Sequence, residues 1–162
     1  MNLKGRVIPK IALPFKVFLD LEVCMRFVAR IRNSEGQHRA EVEAGKHQAS
    51  VPIEPRPSGF GSRVSGGEML MLALATCYCN DTYREATKMN IVVTAVEVEC
   101  SADFEAAGAP AANVTYAVKI SARASEEQIR ELAGRVDRLA EIHNTLRRAI
   151  PVALSRVDAI TV

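Results

Sequence analysis

The sequence predicts an α+β domain in which antiparallel strands pack around one long helix. Three observations carry that prediction: segments of apolar–polar alternation on both sides of residue 66, one long helical stretch from Gly66 to Met89, and helical apolar spacing after Ser125. The resulting order is three strands, helix, two strands, helix, strand. The first half of the long helix, Met69 to Thr76, is apolar on every side, which predicts a helix buried all round.

The elements follow in chain order. Arg26 to Arg32 alternates, with Phe27, Ala29 and Ile31 on one face, as a half-buried strand does. Asn33 to Gly36 supplies a turn, His38 to Ala44 resumes the extended pattern, and Ala44-Gly45-Lys46 turns again before His47 to Ile53. This is an antiparallel meander. Pro52, Pro55 and Pro57 end it, and a glycine-rich loop from Ser58 to Gly67 leads into the helix. Ile91 to Phe104 is rich in β-branched residues, and Val114 to Ala124 alternates, with a small-residue loop between them. Ser125 and Gln128 form a capping box that starts a second helix, whose buried stripe is Ile129, Leu132, Ala133, Val136 and Leu139. Near Glu141 to Thr145 the pattern shifts, and Ile150 to Val162 reads as a closing strand.

At 162 residues the chain is long enough for one core. Residues 1–24 read differently, broken by Pro9 and Pro14, so the chain divides into an N-terminal extension (1–24) and a domain (25–162). Met25 could be the functional start, or the extension could be an arm that packs on the surface or on a second subunit. A net charge of +2, with basic and acidic residues interleaved, gives no case for a nucleic-acid partner. Lys16, Asp20 and Glu22 interrupt the apolar N-terminal run, leaving no signal-peptide core and no membrane-spanning length. Four cysteines without such a signal read as reduced thiols, and the expected location is the cytoplasm.

Cys77 and Cys79 sit where the long helix turns from apolar to polar. Two residues apart on a helix they point to nearly opposite sides, so they cannot close a disulfide without local unwinding. His38, His47 and His143 are scattered, which argues against a zinc site, and the glycine-rich loop has no GxGxxG or GxxxxGK pattern. No metal or cofactor is expected. Inert packing is the commoner role of a buried free thiol, because a reactive one needs a depressed pKa and access. Glu68, about two and a half turns before Cys77, has the plainer role of a first-turn carboxylate on the helix dipole. Arg30, Arg32, Arg39, Arg56 and Arg63 are all possible activators of the thiol. Glu141, His143, Asn144, Arg147 and Arg148 form a polar cluster that could line a pocket or cap a solvated helix end.

The run GGEMLMLALATCYCNDTYREATKM, with IVVTAVEVEC and AEIHNTLRRAIPV after it, resembles the OsmC/Ohr family of thiol-dependent peroxidases over residues 25–162. The resemblance implies an OsmC-like fold in an intertwined homodimer, with the long helices buried at its centre. It further implies that Cys77 attacks the peroxide O–O bond and becomes a sulfenic acid, that Glu68 occupies the position of a helix-start glutamate, and that an arginine from the early strands activates the thiol. That arginine's place falls near Ser34, which leaves Arg32 to substitute. The hydroperoxide branch's glutamate falls at Gly67, one residue before Glu68. The family's resolving cysteine falls at Ala140, where there is no sulfur, and Cys24, Cys79 and Cys100 occupy no resolver position. The expected partners are therefore a small hydroperoxide and an external thiol reductant. The alternative is a non-peroxidatic dimer that binds a small ligand or a protein and whose cysteines are structural.

Overall fold

A computed structural model describes residues 25–156. The extension 1–24, with Cys24, and the end of the expected closing strand, 157–162, lie outside the described residues. The elements are β1 (Phe27–Ser34), β2 (Gln37–Ala44), β3 (His47–Val51), α1 (Gly66–Lys88), β4 (Val92–Asp103), β5 (Ala112–Arg123), α2 (Glu126–Leu139) and α3 (Glu141–Arg148).

The meander is as expected: β1 pairs with β2 and β2 with β3, all antiparallel. Each hairpin closes through two residues, Glu35-Gly36 and Gly45-Lys46, with the glycine at φ 68° and 59°. Those left-handed angles suit a residue without a Cβ. A second antiparallel pair, β4–β5, carries bulges at Val93/Ala95 and Ser101/Asp103. The helices pack against that pair. Tyr78, Ala86, Ile91, Leu132 and Val136 form the core, with Val93, Val98, Tyr116 and Val118 of the sheet against it.

α1 begins where local chemistry fixes it. The Ser65 hydroxyl accepts from the Glu68 N–H at 3.2 Å, and the Glu68 carboxylate accepts from the Ser65 N–H at 2.7 Å. This reciprocal cap satisfies two otherwise orphaned donors. The same device, Ser125 with Gln128, starts α2 as the sequence predicted.

Within one chain, burial along α1 is heavier in its polar half than in the apolar half expected to be buried all round. Its polar second half supplies most of the buried residues, Tyr78, Asp81, Thr82, Glu85 and Ala86, whereas in the apolar half Leu74 is buried but Leu72 is 57% exposed. The β4–β5 sheet with α2 and α3 covers only part of the helix. Phe27, Ala29 and Ile31, expected on the inner face of a half-buried strand, are likewise exposed.

Two further expectations change. The pattern shift near Glu141 is a separate helix, α3, which follows α2 through a single residue, Ala140. Ile150 to Arg156 forms no strand. Ala149 takes a left-handed conformation (φ 47°) that turns the chain out of α3, and Ile150, Val152 and Leu154 are exposed. Among the described residues no helix is long and apolar enough to cross a membrane.

A candidate active site around Cys77

Cys77 and Asp81 are one helical turn apart on α1 and share a face. The short connection through Ala140, fully buried, brings the first turn of α3 across that face. The Cys77 thiol points at the Asp81 carboxylate, with Sγ 3.6 Å from Oδ2, and lies 3.8 Å from Glu141 Oε2. Arg84 ties the carboxylates together: Nη1 is 2.9 Å from Asp81 Oδ1 and Nη2 is 3.5 Å from Glu141 Oε1. A thiol thus sits between two acids that share one guanidinium.

Electrostatics follow from this arrangement. Burial is the largest influence on Cys77 and pushes its pKa up; the Ile142 backbone hydrogen bond pulls it down, and the Asp81 and Glu141 charges push it up again. The net shift is upward, so the resting group is a protonated thiol. Asp81, 4% exposed, is also raised, first by burial and then by Glu141, with Arg84 opposing. A carboxylate with a raised pKa is a better proton acceptor for the thiol than an ordinary one.

The site residues expected from the sequence are placed apart within one chain. Glu68 is engaged in the N-terminal cap of α1 and is lowered by its bonds to Ser65. Arg32, on β1, forms an exposed ion pair with Glu41 at 2.8 Å. Neither is among the groups acting on the Cys77 sulfur, which are Asp81, Glu141 and Ile142. Asp81 and Arg84 have a local signal in the spacing of α1, four residues from Cys77 and three from Asp81. Glu141 belongs to the polar cluster expected to line a pocket or cap a helix end, but nothing local ties it to Cys77, 64 residues away.

The Cys77 sulfur and one oxygen each of Asp81 and Glu141 lie within 4.8 Å of one another, a donor set that a divalent cation could use. Arg84 already holds both carboxylates. Cys77, Cys79 and Cys100 are free thiols, and burial raises the pKa of Cys100 on β4.

Comparison with known proteins gives a consistent picture of this architecture. A family model described as OsmC-like protein matches residues 59–155. Among solved structures, an OsmC-like protein from Mycoplasma pneumoniae is 18% identical with a TM-score of 0.52, over 75% of this chain and 89% of that one. An OsmC-like protein of unknown function from Vibrio cholerae is 12% identical with a TM-score of 0.50, over 75% of this chain and 92% of that one. At these identities the likeness is one of fold. No curated protein sequence matches the chain.

Proposed function

The chain belongs to the OsmC-like protein family, and from that premise we propose that it reduces hydroperoxides with Cys77 as the attacking thiol. One observation carries the reading: the Cys77 thiol is aimed at a carboxylate, Asp81, that can take its proton and that Arg84 holds in place. The sulfur attacks the terminal oxygen of ROOH and the thiol proton passes to Asp81. The O–O bond breaks, and the departing alkoxide takes that proton from Asp81 to leave as ROH, which returns Asp81 to its carboxylate. Sulfur is oxidised by two electrons to the sulfenic acid and the peroxide is reduced to an alcohol. No cofactor enters.

Residue 140, where a resolving sulfur would stand, is a buried alanine. Recovery of the thiol therefore falls to an external thiol, which attacks the sulfenic sulfur and releases water; a second thiol equivalent then frees Cys77. The exposed Leu72 side of α1 and the exposed Phe27–Ile31 strand are surfaces that a second copy would cover, and the active form in this proposal is a homodimer. Arg32 and Glu68 act on the site only across such a dimer. Free thiols at the three described cysteines support a cytoplasmic setting.

The test is Cys77→Ser in an assay of organic hydroperoxide consumption with a dithiol reductant, paired with sulfenic-acid trapping. Turnover is expected to vanish, and the parent is expected to be trapped stoichiometrically at Cys77 by low peroxide. Unchanged consumption in Cys77→Ser would overturn the proposal. A second reading, a ligand-binding dimer with structural cysteines, draws support from the raised Cys77 pKa; stoichiometric trapping would exclude it.

A further inference from the structure

The seam between α1, β5 and α3 holds a polar group that the thiol chemistry does not use. His143 on α3 is 4% exposed, and neither of its ring nitrogens has a hydrogen-bond partner. Its ring stands edge-on to Tyr116, with centroids 4.7 Å apart, and to Tyr78 at 5.9 Å. Two unsatisfied nitrogens on a buried ring are costly, and a group that bonds either one recovers part of that cost.

There is room for one. His143 lines a cavity of about 230 Å³ together with Leu74, Val114, Tyr116, Leu146 and Arg147. Three of these walls are aliphatic and one is aromatic. Charge at the polar end is already balanced: Arg147 Nη2 is 2.5 Å from Asp137 Oδ1, and Nη1 bonds the Asp137 carbonyl and Asn144. The Tyr116 hydroxyl donates to the same Asp137 carboxylate. An anionic ligand would have to compete with Asp137 for the guanidinium. Burial, aided by Arg147, lowers the His143 pKa, so at neutral pH the ring is uncharged and offers one donor and one acceptor. A hydroxyl, which can donate or accept, can bond whichever of the two nitrogens it meets.

We propose that this cavity binds a small uncharged molecule with an aliphatic or aromatic body and one hydroxyl, the body against Leu74, Val114 and Leu146 and the hydroxyl on His143. Cys77 is not among the lining residues, so the site stands independently of the peroxide reading.

The experiment is nitrogen NMR of the histidine side chains of the full chain, titrated with hexanol, benzyl alcohol and hexanoate. Hexanol or benzyl alcohol is expected to shift the His143 resonances saturably, with the preferred one reporting whether the body is aliphatic or aromatic. Hexanoate is expected to bind at least about tenfold more weakly. Leu146→Trp, which fills the cavity from its exposed lip and leaves His143 in place, is expected to abolish the saturable shift. Cys77→Ser is expected to bind hexanol as the parent does, so loss of turnover and loss of this binding are separate results. Hexanoate binding as well as the alcohols, unaltered binding in Leu146→Trp, or no saturable shift with either alcohol would each overturn the proposal.

Discussion

Asp81 and Glu85 stand one turn apart on α1, 4% and 1% exposed, and the surrounding protein treats their charges in opposite ways. Around Glu85 three cations converge: Lys88 Nζ and Arg135 Nε at 2.7 Å and Arg84 Nε at 3.3 Å. The bonds from Lys88 and Arg135 hold its carboxyl down at about 2. Asp81 shares the single guanidinium of Arg84 with Glu141, faces a thiol, and is raised by burial. Burial is the first cause of the rise at Asp81, with Glu141 adding to it, whereas at Glu85 the bonds from the cations outweigh burial. The same helix carries a clamp that fastens α2 and, one turn earlier, a group left ready to accept a proton.

The comparison breaks most visibly at the clamp. Glu85→Gln removes the charge that joins α1 to Arg135 and is expected to cost about 2–3 kcal/mol in urea unfolding, while the Cys77 thiol titrates as in the parent. Arg84→Gln touches both centres. Glu85 keeps two cations, so the expected loss of stability is smaller, about 1–2 kcal/mol, but Asp81 and Glu141 lose their shared cation and the Cys77 pKa rises further. Thiolate ultraviolet absorbance against pH checks this. A Cys77 titration that moves in Glu85→Gln and stays put in Arg84→Gln would reverse the assignment of the two centres.

Asp81→Asn sharpens the thiol half. Removing that charge lowers the Cys77 pKa, so alkylation by iodoacetamide at neutral pH is expected to speed up severalfold. Hydroperoxide turnover is expected to fall in the same variant, because the proton acceptor is gone. If both rates rise together, Asp81 merely suppresses the thiol and takes no proton from it.

What could be read from the sequence was local. The Ser125–Gln128 cap spans three residues, and the hairpin glycines act within their own turns, so both were legible. Helical spacing sets Cys77, Asp81 and Glu85 on one face of α1, but the polar character of that half of the helix suggests an outer face, and Asp81 and Glu85 are buried. The opposite fates of these two carboxylates were not legible either, because they depend on Arg135, 50 residues after Glu85, and on Glu141, 64 after Cys77. Helical spacing says which side chains share a face, never which distant ion arrives there. In the described part of the expected closing strand, Ile150 to Arg156, the chain is not a strand: alternation shows a segment able to pair, not that it does. The apolar run of α1 likewise signals a face that wants covering without saying that the cover lies in the same chain.

The smallest expected effect is the most direct test of opposite signs. Glu85 is depressed from 4.5 to about 2, so its contribution to stability is complete above pH 4.5 and is lost as pH falls toward 2. Asp81 is raised above 3.8, so ionising it costs stability as pH rises through 3.8 to its higher folded value, and acidification removes that cost. In urea midpoints measured from neutral to acid pH, Glu85→Gln is expected to be weaker than the parent at neutrality and to converge with it in acid. Asp81→Asn is expected to be at least as stable at neutrality and to lose that advantage in acid. Two variants displaced in the same direction at neutral pH would show that the two carboxylates are held alike, and that the proton acceptor beside Cys77 is no more than another structural anion.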